Sequence, residues 1–151
     1  MNKVSLAKLL ADKKIKTHTP SLSEINNLRE VIERDLKDAN LPGLSADRSF
    51  ATAYNATLQT AQMVVACAGY RVASVPGHHK IAFDSAELAV GPTVKTLMIY
   101  FDACRRKRNL LDYDKAQVAS ATEAAELIVK AQEFLSLAEK WIEKFHPHLK
   151  K

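Results

Sequence analysis

Glycine, aromatic residues and cysteine are all scarce in this chain, and each shortage removes a class of protein. Four glycines in 151 residues form no Gly-rich phosphate loop. Aromatics make up 7% of the chain, and with so few aromatics and glycines the composition favours helices packed on helices. The two cysteines, Cys67 and Cys104, are far apart and lack CxxC spacing. They form neither a disulfide framework nor a thiolate zinc site, and are expected as reduced, buried thiols. The longest apolar run, "AQMVVACAG", cannot cross a bilayer. The opening stretch "MNKVSLAKLLADKK" is interrupted by Lys8 and too polar for a secretory leader. The expectation is a cytoplasmic protein with no membrane association.

What is present favours helices. The apolar fraction is 47%, ordinary for a chain that buries a core. Ala, Leu, Lys and Glu dominate, and these residues lose little on entering a helix. The charge is a moderate +5, from 22 basic and 17 acidic residues. That excess suits an anionic partner and equally suits a solvated basic surface.

Apolar spacing divides the chain into elements. A short amphipathic segment is expected over Val4–Ile15, within a distinct N-terminal stretch of about twenty residues. After "THTPSLSE", Ser21 or Ser23 can cap a helix running to Ala39, with Leu22, Ile25, Leu28, Ile32, Leu36 and Ala39 as its stripe. "ANLPGLS" ends it. A long Ala-rich helix starts after Ser45, and Gly69 tells against its running much further. "HHKIAFDSAELAVG" reads as a shorter helix packing through Ile81, Ala82, Leu88 and Ala89. From Thr93 the next carries Val94, Leu97, Phe101 and Cys104 on one line. The last spans Ala119–Phe145, its stripe running from Ala124 through Ile142 to Phe145. "HPHLKK", residues 146–151, reads as a polar tail. No strand-type alternation and no repeat are visible. The expected fold is a single all-α domain over residues 1–151: an antiparallel up-and-down bundle of four main helices with one or two short ones.

One segment breaks the pattern. In "FDACRRKRNLLDYD" a helix entering the core meets Arg105, Arg106, Lys107 and Arg108. At 100° per residue, Arg108 continues the line of Leu97, Phe101 and Cys104. A guanidinium there must be paired or face a wet cleft. Asp112 lies four residues on and can pair with it, while Arg105, Asn109 and Tyr113 form the adjoining ridge. Such a cluster is either a structural Arg108–Asp112 ion pair with solvated neighbours or a phosphate-binding site.

Here the chain resembles the HEPN family (higher eukaryote and prokaryote nucleotide-binding), whose signature is Arg, often a polar residue, then four to six residues and His. Arg108 and Asn109 match its start. Tyr113 stands where the His would fall, and the Asp-Tyr ending resembles a subgroup that reads Arg, two or three residues, Asp-Tyr. "DRSFATAYNATLQTAQMVVACAGYRV", with Arg48 and Tyr54 near its start, is similar to the family's long helix, and "PGHHKIAFDSAEL" to the turn that follows.

The resemblance implies binding of RNA or a nucleotide by a homodimer without metal or cofactor. It also implies ribonuclease chemistry, or a toxin-type role in a toxin–antitoxin or defence pair with a nucleotidyltransferase-type partner. It gives Arg108, Asn109 and Tyr113 the catalytic positions. Arg105, Arg106, Lys107 and Arg48 become phosphate contacts, with Asp112, Tyr54 and His79 in support. A Tyr at the His position argues for reduced activity, because a phenol with an ordinary pKa near ~10 is a poor proton carrier at neutral pH. His78 and His79 could approach the cluster or be plain loop histidines. The other reading is a non-enzymatic adaptor or dimerisation module whose Arg108–Asp112 cluster is structural. Glu143 and His146 make a single Glu-x-x-His with no second copy, and His146 with His148 is equally weak, so no metal site is expected.

Overall fold

Helix α3, Ala46–Cys67, explains the arrangement of the rest. Its apolar and small residues surround the axis rather than forming one stripe, so it can only be stable inside the molecule. It packs on four others: α2 (Leu22–Ala39), α4 (His78–Val90), α5 (Lys95–Leu111) and α6 (Ala121–Phe145). α2 also meets α6, and α4 meets α5. The computed structural model describes residues 4–111 and 117–151. It is an all-α bundle of four main helices with α4 and a six-residue α1 (Leu6–Ala11) added. Among the described residues no helix is long and apolar enough to cross a membrane.

Local chemistry sets the helix ends. Ser5, Ser21, Ser45 and Ser120 cap α1, α2, α3 and α6, each side chain accepting an amide hydrogen from the first turn. At Ser120 a full capping box forms with Glu123. α5 starts two residues later than the sequence suggests, because Pro92–Val94 form a 3-10 turn first. The deeply buried Thr57 and Thr60 turn their hydroxyls back to the carbonyls of Ala53 and Ala56 at 3.0 and 2.9 Å. Four rings, Tyr54, Phe83, Phe101 and Phe134, contact one another in succession at centroid distances of 6.0, 5.9 and 5.5 Å. The few aromatics thus join α3, α4, α5 and α6 at one level.

Four expectations are corrected. The N-terminal helix stops at Ala11, and Ile15 belongs to a strand. Lys13 N–H bonds Leu10 O, Lys14 N–H bonds Leu9 O, and Lys13 adopts φ 60°, the left-handed residue of a Schellman motif. A small ribbon is present: β1 (Ile15–Thr17) pairs antiparallel with β2 (Tyr70–Val72), Ile15 opposite Val72. Three-residue strands are too short to show alternation. Gly69, at φ 97°, turns the chain from α3 into β2. Next, Leu22, Leu88 and Phe145 are exposed rather than core, at 44%, 37% and 59%. They sit at or near helix ends, where the stripe runs past its neighbours. Finally, residues 146–151 are more than a polar tail. Pro147–Leu149 form a 3-10 turn and Leu149 is buried.

That C-terminal turn is held by Arg29, which is 4% exposed. Its guanidinium donates to both carboxylate oxygens of Glu139 on α6, each at 2.9 Å, to Asn26 Oδ1 at 2.8 Å and to the Leu149 carbonyl at 2.7 Å. A buried cation survives in a core only when its donors are satisfied in this way.

A second, smaller core fixes the N-terminal unit. Leu9, Ile15 and Ile81 bury together, with Val72 and Val75 against them. This seats α1 and the ribbon beside the first turn of α4.

Candidate functional site

Two segments converge at one end of the bundle: the start of α4 and the second half of α5. The turn Val75–Gly77 brings the chain into α4, and Gly77, at φ 79°, occupies the cap position. Glycine has no side chain to cap with, and α4 has no side-chain cap bond. The His78 amide is taken by the Val75 carbonyl at 3.2 Å, and the dipole of α4 favours an anion at this end. His78, His79 and Lys80 occupy its first turn. Across from them, Arg105 and Asn109, one turn apart on α5, complete a cavity of about 280 Å³.

Beneath this cavity lies the Tyr54 phenol. Tyr54 is 2% exposed, and its hydroxyl is 3.2 Å from His79 Nδ1. Burial pushes the phenol well above its ordinary pKa, and the opposing pull of Arg105 and Arg108 does not bring it back. The hydroxyl therefore keeps its proton. With the His79 proton on Nε2, Tyr54 donates to Nδ1 and fixes the ring's orientation.

Arg105 Nε and Nη2 donate to one oxygen of Asp102 at 3.1 and 3.0 Å. Burial alone would raise the Asp102 carboxyl. The Arg105 hydrogen bonds and charge, with Lys80 and Arg106, outweigh it and hold the group below the usual carboxylate range. Arg106 is largely solvated and approaches Asp102 Oδ2 at 3.7 Å.

The remaining expected site residues scatter. Arg108 is half-buried on the core-facing line of α5, and Asn109 is exposed at the cavity. Lys107 points to α6 instead, where its ammonium engages Glu123 and the Val118 carbonyl. Arg48 is exposed in the first turn of α3. Its neighbour Asp47 accepts the amide hydrogens of Gln117 and Ala119, each at 2.8 Å, tying α3 to the approach to α6. Asp112 and Tyr113 lie outside the described residues.

Sequence reasoning missed Lys80 and Asp102. The carboxylate precedes Arg105 by three positions, a spacing that could have disclosed the pair. Among the described residues no group of three or more His, Cys, Asp or Glu side chains could hold a metal. His146 instead packs on the Trp141 ring at 4.8 Å. Both thiols are buried, and burial pushes Cys67 up to about 12 and Cys104 to about 11, which makes them inert at neutral pH. No family model, curated protein or solved structure matches the chain.

Proposed function

We propose that this protein binds RNA or a nucleotide through a phosphate seated between the first turn of α4 and the ridge of α5. One observation carries the reading: the cavity shared by His78, His79, Lys80, Arg105 and Asn109 at an uncapped helix N-terminus. Among the described residues, each polar side chain lining the cavity can donate a hydrogen bond. Arg105 provides a planar fork, Asn109 an amide, Lys80 an ammonium and α4 its dipole. In this reading Arg108 tunes the field around Tyr54 and the phosphate. The HEPN-type resemblance, with a homodimer and a role in a toxin–antitoxin or defence pair, belongs to the same proposal.

Ribonuclease activity is a second reading, favoured by the Tyr54–His79 bond. In the other tautomer, with its proton on Nδ1 and donated to the Tyr54 oxygen, His79 Nε2 is suited to take the proton of a ribose 2′-hydroxyl, while Arg105 stabilises the charge growing on the phosphorane.

Fluorescence anisotropy with a short labelled RNA tests the first reading. Arg105→Ala is expected to lose at least about tenfold in affinity with helical circular dichroism unchanged. Affinity should also fall steeply with salt. A folded Arg105→Ala variant with full affinity, or binding indifferent to salt, defeats the reading and favours an adaptor that docks through apolar surface. For cleavage, His79→Gln should abolish turnover while costing RNA affinity less than Arg105→Ala does. Unchanged turnover removes His79 from the chemistry.

A further inference from the structure

The phosphate cavity opens directly into a second groove that nothing above assigns. This groove, of about 710 Å³, runs between α1, the Val75–Gly77 turn and α4, and shares Gly77, Lys80 and Arg105 with the cavity. Its size falls within the roughly 300–1,000 Å³ range of ligand sites. Among the described residues, five cations line it, Lys8, Lys13, Lys14, Lys80 and Arg105, against two carboxylates, Asp12 and Asp84.

The carboxylates are already engaged. Asp12 pairs with Lys8 at 3.3 Å and Asp84 with Lys80 at 3.5 Å. Among the described residues, Lys13 and Lys14 have no carboxylate partner within 4.0 Å. They are held in place by backbone structure. Leu9 and Ile15, on either side of them, bury against Ile81 of α4, and the Lys14 carbonyl accepts the Ala73 amide at 2.9 Å.

Lys13 carries the second indication. It occupies the left-handed position of the Schellman motif at φ 60°, where glycine is the least strained choice. The chain places a long cation there, at the rim of the groove, against the preference of its own backbone.

We propose that this groove is a backbone tract for single-stranded RNA, in which Lys13 and Lys14 contact successive phosphates of a strand whose leading phosphate sits at Arg105. The proposal rests on the phosphate reading above. Among the described residues no Phe, Tyr or Trp lines the groove, and these residues offer bases no stacking surface. Contact is with the sugar–phosphate backbone and carries little sequence preference. The tract extends binding from one nucleotide to several.

The test compares a mononucleotide with a single-stranded RNA of about ten nucleotides, a length within the known range of single-strand sites. Wild type and a Lys13→Gly/Lys14→Gln double variant are titrated over a salt series. The oligonucleotide is expected to bind wild type more tightly than the mononucleotide. The double variant should lose about tenfold in oligonucleotide affinity at low salt. Its slope of log affinity against log salt should flatten by about 1.4, two single-strand phosphate contacts. Mononucleotide affinity should not change, and Lys13→Gly alone should melt no lower than wild type. An unaltered oligonucleotide slope and affinity overturns the tract and leaves the phosphate site standing. Wild type that binds neither probe overturns both. A duplex of the same length is titrated alongside, and a loss for the duplex equal to that for the single strand shows a general anion surface and also overturns the tract.

Discussion

Two guanidiniums lie on or beside core-facing helix lines, and they are built in opposite ways. Arg29 uses four hydrogen bonds to Glu139, Asn26 and Leu149, so four of its five donors are consumed inside the fold. Arg105 makes two hydrogen bonds to a single Asp102 oxygen and lines an open cavity. A saturated guanidinium is architecture; one with donors to spare at a cavity is suited to a ligand. Residue type and helical position are nearly the same in the two cases. The partners make the difference.

The largest expected effect comes from breaking the Arg29 end. Arg29→Ala leaves Glu139 without its bidentate partner and should cost about 3 kcal/mol, the lower part of the range for a broken buried pair, since Glu139 keeps some water. Urea unfolding measures it, and RNA affinity should not change. Replacing both partners, Arg29→Met with Glu139→Leu, should restore most of the stability. A loss under about 1 kcal/mol would erase the distinction between the two ends.

Arg105→Ala should show the reverse pattern. Its pair with Asp102 is partly solvated, with 22% and 33% side-chain exposure. Stability should therefore fall by less than about 1 kcal/mol while the affinity loss expected above appears. Freed of Arg105, the Asp102 carboxyl should titrate at higher pH, observable by NMR.

The thiols sharpen the contrast because each reports one end. Arg29 and Glu139 act on Cys67, whereas Tyr100, Lys107 and Glu123 act on Cys104. Both are raised above an ordinary value of 9.0, Cys67 to about 12 and Cys104 to about 11. The folded state therefore holds these protons longer than the unfolded chain. Their stability contribution is intact below pH 9 and is lost as pH rises toward those values. A thiol reagent at pH 8 should label the native protein slowly at both positions. Arg29 pulls the Cys67 thiol down against burial, so folded Arg29→Ala should label more slowly still at Cys67, with Cys104 unchanged.

The smallest effect belongs to Lys151–Glu33, a pair at the Arg29 end that is 67% and 53% exposed. Lys151→Ala should change stability by no more than about 0.5 kcal/mol. A larger loss would mean that the C-terminal turn depends on its surface charges as well as on Arg29.

The sequence disclosed the helices because their apolar spacing is local. Ile25, Ile32, Leu36, Ala124, Ile128 and Ile142 are all buried as the stripes predict. It disclosed the basic cluster because four cations in a row interrupt a core line. It did not disclose Arg29, although that residue sits on the same stripe as Ile25 and Ile32. Its decisive partners, Glu139 and Leu149, are 110 and 120 positions away, so no local signal exists. The β1–β2 ribbon was hidden for a related reason: its strands are 3 residues each and their pairing is remote. The candidate site was half legible. Its α5 side follows from helical spacing, but the approach of His79 and Lys80 depends on how α4 docks on α3.

The ring succession from Tyr54 through Phe83 and Phe101 to Phe134 has a consequence for how this protein can change. The floor of the cavity is the end of a stack that four helices share, so any resizing of a ring below is transmitted upward to the imidazole. New ligand preferences are more readily acquired from the rim, at Lys80 and Asn109, whose side chains lie outside that stack.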